Sequence, residues 1–516
     1  MDLPSDVLYH IFLAVSDDGH ITLDTSTGIW VLSRVCHRWR SVSFDFKGLW
    51  SRISIDQYQV ESFSPHAVSI VRTALIRSGP DTPLRIRAYL DRLLVHANIL
   101  DVLVKESHRW HVLDLQISLF LLRDLGTKMK SKRSGFPMLS KLSLSLVDND
   151  GPGGASFRGD PLDAFQRAPK LESVTVNTRR SSLVKLPWSN LLHLSMREIS
   201  AGEFLRVFGS TTNLVECSLL VSPPYRYQAD VNATANANAA LNTVDTDPDT
   251  ILRQSSLQTL LLRSTPSVLN SLELPSLTKL YIAEPTTHQH QQHQYHNQHA
   301  FSFTPLISLV HRSFCDIQVL GLSGILFEEY DDDSYAYDSF DDCDVRRKGD
   351  GTLHNTLLSL PNLVSLTLAD WTRATPESNS LNNLVADLII PSPFDDMQVY
   401  KEPLVPKLRS LVIDDYSSSG RRVDGDLLAS LVESRSVSLS NANSSFVSGC
   451  GLEKLAIHGV SLVLPSPSVL IRFRQFKEEM EFVVTVGHSK KGVDVVERNF
   501  DFGVGFGAGR GMGRVY

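Results

Sequence analysis

The chain has 516 residues, 42% of them hydrophobic and 21% charged, a balance that supports a sizeable folded core. Its formal net charge of −7 argues against nucleic acid or an anionic membrane as the main partner. No apolar run reaches the roughly 18 residues needed to cross a bilayer, and the stretch from Val7 to Val15 contains His10 and follows an acid, unlike a secretory signal.

The first element is a helix. Pro4 suits its first turn, where a missing N–H costs nothing, and Asp6 follows where the helix dipole favours an acid. Val7, Leu8, Ile11, Phe12 and Val15 then make one apolar stripe. After a polar spacer from Ser16 to Gly28, a second helix carries Val31, Val35, Trp39 and Val42 on one face, with Leu32 and Cys36 beside them. A third short piece brings Leu49, Trp50 and Ile53.

Three short helices are too small to bury two tryptophans well alone, so they cap or dock on something. The order Leu3-Pro4, then Leu8-x-x-Ile11-Phe12, then Val35-Cys36-x-x-Trp39, then Leu49-Trp50 resembles the F-box motif, in the variant common in large fungal F-box families. It departs from that motif in its long spacer, and it begins at residue 3. The resemblance implies a three-helix module over residues 1–58 that docks on a Skp-type adaptor and, through it, a cullin-based ubiquitin ligase. It further implies that Leu3, Pro4, Leu8, Ile11, Phe12, Val31, Leu32, Val35, Cys36 and Leu49 supply the partner-binding and packing surface, while Trp39 and Trp50 lock the helices together.

Residues 59–83 read as a helical connector: in HAVSIVRTALIRSG, Val68, Val71, Leu75 and Ile76 share a side and Gly79 ends the helix. Leu84, Ile86 and Ala88 then alternate as in a strand. From about residue 112 one phrase recurs: apolar, two residues, apolar, one residue, apolar. Its eleven copies begin at Val112, Leu139, Leu171, Leu191, Leu214, Leu257, Leu277, Ile317, Leu363, Leu408 and Leu452. The closing pair has period two, the mark of a short strand with one buried face.

Several copies follow a candidate helix. Asp160-Pro161 and Thr304-Pro305 each pair an N-cap residue with a proline at the first helical position, and Ser200-x-x-Glu203 has capping-box spacing. Leu381, Leu384 and Leu388 line one face before the Leu408 copy. Strand plus helix at intervals of twenty residues or more is the leucine-rich-repeat pattern, here degenerate. The expected fold class is therefore α/β, with a solenoid of strand–helix units over residues 84–465 and a tail over 466–516. An unrelated α/β domain with alternating strands and helices is the alternative. Arg472–Glu481 is a charged helix candidate within that tail, and Gly503–Gly513 reads as a frayed end.

Low-complexity inserts near 229–249, 286–299 and 328–350 read as disordered loops. The second holds His288, His290, His293, His296 and His299, which reads as a polar tract more readily than as a metal site. The third holds nine acids over residues 328–344 and lacks the pattern of a calcium loop. Lys128, Lys130, Lys132 and Arg133 form a small basic cluster that fits a solvated loop. The five cysteines (Cys36, Cys217, Cys315, Cys343 and Cys450) form no C-x-x-C, which suits a reducing compartment, cytoplasm or nucleus. No nucleophile elbow, phosphate loop or zinc-protease motif is present, so neither catalysis nor a cofactor is expected. The reading is a non-catalytic substrate receptor that binds an adaptor and a client protein; a scaffold outside any ligase is the alternative.

Overall fold

The computed structural model describes residues 3–15, 20–56, 58–60, 65–91, 93–130, 135–147, 162–178, 184–221, 251–263, 266–283, 302–323, 353–369, 380–390, 404–414, 422–436, 451–458, 461–463, 472, 475–476 and 481–485. The three low-complexity inserts and the glycine-rich end lie outside these residues, as does most of the helix expected over Arg472–Glu481. The chain forms two compact units, Met1–Leu214 and Val215–Tyr516. Both are mixed α/β and built on parallel strands.

The first unit opens with α1 (Ser5–Val15), α2 (Gly28–Val35), α3 (His37–Asp45), a 3-10 turn at Lys47–Trp50 and β1 (Arg52–Ile55). It continues with α4 (Ala67–Arg77), β2 (Leu84–Leu90), α5 (Leu94–Lys105), β3 (Trp110–Ser118), α6 (Leu119–Lys130) and β4 (Lys141–Val147). β5 (Ser173–Asn177), β6 (His193–Ile199) and α7 (Ala201–Phe208) complete it. Strands β1 to β6 pair in sequence order, every pair parallel. A parallel neighbour requires a crossover, and helices or turns supply each one.

The second unit carries β7 (Glu216–Val221), β8 (Thr259–Arg263), β9 (Lys279–Ala283), α8 (Thr304–Ser313), β10 (Val319–Ser323) and α9 (Leu353–Leu358). Then come β11 (Ser365–Ala369), α10 (Ser380–Asp387), β12 (Ser410–Asp414), α11 (Gly425–Ser436), β13 (Lys454–His458) and β14 (Glu481–Thr485). These eight strands also pair in order and in parallel. In several of them a residue on the second face is buried too, as at Leu261, Val412 and Ala456, which is usual where a parallel sheet is covered on both sides.

The recurring phrase is the register of these sheets. Leu142, Val174 and Leu194 stand opposite one another, as do Leu144, Val176 and Met196. In the second unit Leu260, Leu280, Leu320, Leu366, Leu411 and Leu455 make one such row. The first residue of each phrase is buried just before its strand, from Leu139 to Leu452.

At five copies that residue closes a four-residue turn whose second position is a proline: Phe136-Pro137, Ala168-Pro169, Leu274-Pro275, Leu360-Pro361 and Val405-Pro406. Its N–H donates to the carbonyl three residues back, 3.1 to 3.4 Å away. Proline presets φ for the second position of such a turn. The next carbonyl, for example that of Gln258, accepts two N–H groups from the following unit, Thr278 and Lys279, at 3.0 Å each.

Four expectations are corrected. The Val112 copy is out of register by two: β4 residues Leu142 and Leu144 face Leu113 and Leu115, so the phrase begins at Trp110. Trp110 is buried and stacks on Phe136, which stacks on Phe165, at centroid distances of 5.3 and 5.1 Å. The pattern also starts earlier than residue 84, because Ile53 and Ile55 face Ile86 and Ala88, making Trp50-x-x-Ile53-x-Ile55 a full copy. No helix forms over the described part of the Asp160–Arg167 stretch; residues 164–167 are a turn, cut short by Pro169. On α4 the buried face is Ala67, Val71, Ala74 and Leu75, while Ile76 is exposed.

Capping divides similarly. Ser200 caps α7 as its spacing indicates, its hydroxyl accepting from the Glu203 N–H at 3.3 Å. Thr304 instead lies inside α8, one position past the N-cap Phe303. Leu381, Leu384 and Leu388 are buried along or just beyond α10.

Candidate functional site

The first 56 residues present the clearest division between packing and exposed apolar groups. In α1, Leu8 and Phe12 point inward and are 2% and 0% exposed, and Phe12 meets Trp39 at 5.2 Å between ring centroids. The expected single second helix is two. Cys36 is extended, with φ −155° and ψ 172°, and its Sγ accepts from the Trp39 N–H to start α3. The break turns α3 so that Val42 is buried while Val31 and Val35 stay on the surface of α2. An Asx turn precedes α2, in which Ser26 donates to the Asp24 carboxyl through both hydroxyl and backbone N–H and holds it below the usual carboxylate range.

The polar spacer is not simply a connector. Ile21 and Leu23 are buried, and Ile21 bridges to β1 through bonds of 2.7 and 2.8 Å with Arg52 and Ser54. Trp30 donates its indole N–H to the Thr22 carbonyl at 3.2 Å. Its ring stands edge-on to Trp50 at 5.0 Å, and Trp50 donates to the Ser43 carbonyl at 2.7 Å. Above this cluster lies the Arg77 guanidinium, 5.1, 4.7 and 4.4 Å from the ring centroids of Trp30, Phe44 and Trp50. Aromatic faces attract a cation, more so when it is partly desolvated. Burial lowers the Arg77 pKa, and Arg34 adds in the same direction.

The ten residues named from sequence therefore separate. Leu3, Pro4, Val31, Val35 and Cys36 are exposed, and Ile11 is half-buried. Leu8, Phe12, Leu32 and Leu49 are buried and serve packing, which removes them from direct contact with any partner. Val7 is exposed as well and joins the first group. The Arg38 guanidinium donates to the Leu3 carbonyl, so the start of α1 is tied to the start of α3 beside Val35 and Cys36. Lone exposed aliphatics are ordinary, but several on one small helical unit are the usual composition of a contact surface.

Residues 1–56 match the F-box-like family. No curated protein matches the chain. An F-box-like domain is a protein-interaction module, and its matched span ends one residue beyond β1, so the domain contains the first strand of the sheet.

Elsewhere several titratable groups are held by ion pairs or by burial. Lys128 pairs with Asp101 and Asp124, which raise its pKa against the lowering effect of burial, and Lys130 lies 3.6 Å from Asp163. Burial pushes the Cys217 thiol well up and that of Cys315 up to about 11. Among the described residues, no group of three or more His, Cys, Asp or Glu side chains is arranged to hold a metal ion.

Proposed function

We propose that this chain is the substrate-receptor subunit of a Skp-cullin-F-box ubiquitin ligase, close to the large fungal F-box families. The observation that carries the proposal is the exposed set Leu3, Pro4, Val7, Val31, Val35 and Cys36 on a module that matches the F-box-like family. In this reading the set docks on a Skp-type adaptor, and each compact unit is a leucine-rich-repeat-like stretch that presents strand residues to a client. Parallel strands in sequence order, with one apolar phrase repeated in register, support the repeat assignment.

The chain itself is non-catalytic on this account. It raises the effective concentration of a client beside the charged ubiquitin carrier, and partner subunits perform the transfer. It acts in the cytoplasm or nucleus. The test is co-purification with a Skp-type adaptor, comparing the intact chain with a Val31→Asp, Val35→Asp double variant. Both side chains are exposed, so the variant is expected to fold, which circular dichroism checks. Binding lost by the variant supports the proposal; no binding by the folded intact chain leaves an interaction scaffold outside the ligase.

A further inference from the structure

The six strands of the first unit place their outward side chains in three rows set by the register. The first runs Arg52, Arg85, Val112, Lys141, Ser173, His193. The second includes Arg87, Asp114, Ser143, Thr175 and Ser195. The third runs Tyr89, Gln116, Ser145, Asn177, Arg197. On a chain of net charge −7 these rows hold five Arg or Lys residues and one acid, Asp114, which pairs with Arg87 at 3.3 Å. Among the described residues the side chains of Arg85, Lys141 and Arg197 have no hydrogen-bond or ion-pair partner.

Unsatisfied groups converge at one end of the face. Arg197 is half-buried, and burial lowers its pKa. Beside it across the register is Asn177, whose Nδ2 donates to Ser145 at 3.3 Å while its Oδ1 is buried without a partner. Two residues back on the same strand face, the Ser195 hydroxyl is also buried without a partner. Desolvated polar groups cost free energy unless something completes them; a guanidinium and a hydroxyl complete an oxyanion, and an amide oxygen completes a donor such as a backbone N–H.

We infer that this face binds an extended acidic segment of a client protein, with a carboxylate seated at Arg197 and Ser195 and a backbone N–H of the segment donating to the Asn177 Oδ1. Spacing favours distributed carboxylates over a single anion. Adjacent strands lie about 4.8 Å apart, so Arg85 and Lys141, two strands apart in one row, lie roughly 9.6 Å from each other, close to three residues of extended chain, and Arg197, two strands further and four residues along, lies roughly 16 Å from Lys141, close to five. The hydroxyls of Ser143, Thr175 and Ser195, lying between the cationic rows, suit the backbone of such a segment. Calling the segment a client rests on the receptor reading; the binding chemistry does not.

The experiment is fluorescence anisotropy on the full chain, using a labelled 12-residue peptide with Asp at every third position. An Asn-substituted copy, a copy with one phosphoserine as its sole anion, and a single-stranded RNA of matched length are the other probes. The inference requires the Asp peptide to bind tightest, with affinity that falls as salt rises. Arg197→Gln weakens it about tenfold or more, as loss of a charge-assisted hydrogen bond implies. Arg85→Gln and Lys141→Gln, on the exposed rim, weaken it about threefold each. Equal binding of the Asn copy, tighter binding of RNA or of the phosphoserine copy, or an unchanged affinity in Arg197→Gln overturns it. Adaptor binding measured on the same preparations reports separately on the receptor reading, because none of these substitutions touches the exposed set on α1 and α2.

Discussion

Trp50 belongs to two structures at once, and its removal should loosen both. It closes the F-box-like domain against Trp30, Ser43 and Arg77, and it is the first residue of the first repeated phrase, ahead of Ile53 and Ile55. Its side chain is 0% exposed. Truncating a buried tryptophan to alanine costs about 3–5 kcal/mol. The edge-on pair with Trp30 contributes about 0.5–1.5 kcal/mol beyond its buried area. These terms overlap, so the expected loss for Trp50→Ala is about 4 kcal/mol, a large share of the ~5–15 kcal/mol that holds a typical protein folded.

Urea denaturation gives the loss, and hydrogen exchange read by mass spectrometry gives its location. Exchange should quicken in α2, α3, β1 and β2 together, while Trp39→Ala, a half-buried ring, quickens α1 and α3 alone and costs less. A loss under about 1 kcal/mol, or exchange that changes only in the helices, would refute the dual role.

Arg435 is 0% exposed and donates to the Leu388, Leu404 and Val405 carbonyls at 2.8 to 3.2 Å, so Arg435→Met leaves buried acceptors unpaired and should cost about 3 kcal/mol or more, read by thermal melting. Gly135 has φ +58°, and a Cβ there would meet the Arg167 carbonyl oxygen at 2.4 Å, whereas at Gly79, φ +74°, the nearest atom is 3.6 Å away. Gly135→Ala should therefore lower the melting temperature clearly more than Gly79→Ala, which carries only the backbone strain. Burial, with Lys454 nearby, lowers the His458 pKa from its ordinary 6.5, so the fold favours the neutral ring. Its contribution is complete above pH 6.5 and is lost as pH falls through the lower folded value; His458→Gln should flatten stability over that acid range, measured by urea midpoints at successive pH values.

Much of this architecture is legible in the sequence because the repeated phrase states the register directly. Leu142, Val174 and Leu194 could be aligned by eye, and the structure pairs them. Trp110 does not stand out in the sequence because a tryptophan in the place of a leucine breaks the pattern, and Val112-x-x-Leu115-x-Ile117 satisfies the same template two residues on. Periodicity cannot choose between two matches on one strand.

The division of the candidate site was not legible either. Leu8 and Val7 are adjacent and equally apolar, yet only the packing of α1 on α3 decides that one is buried and the other exposed. Cys36 ends one helix and caps the next, but nothing in its neighbours' hydropathy announces the break, so Val31 through Val42 reads as one face. The open face of the first unit was hidden for a different reason. Arg85, Lys141 and Arg197 lie far apart in sequence, and only the parallel register brings them into facing rows.

The proposed adaptor surface is the exposed set in and beside α1 and α2. Cys36 is exposed among them, whereas Cys217 and Cys315 are buried. The most direct measurement is thiol alkylation of the full chain, read peptide by peptide in a mass spectrometer, with and without saturating adaptor. The account requires Cys36 to be alkylated rapidly alone and to be protected by the adaptor, with Cys217 slow in both cases. Unchanged Cys36 alkylation in the presence of saturating adaptor would contradict it.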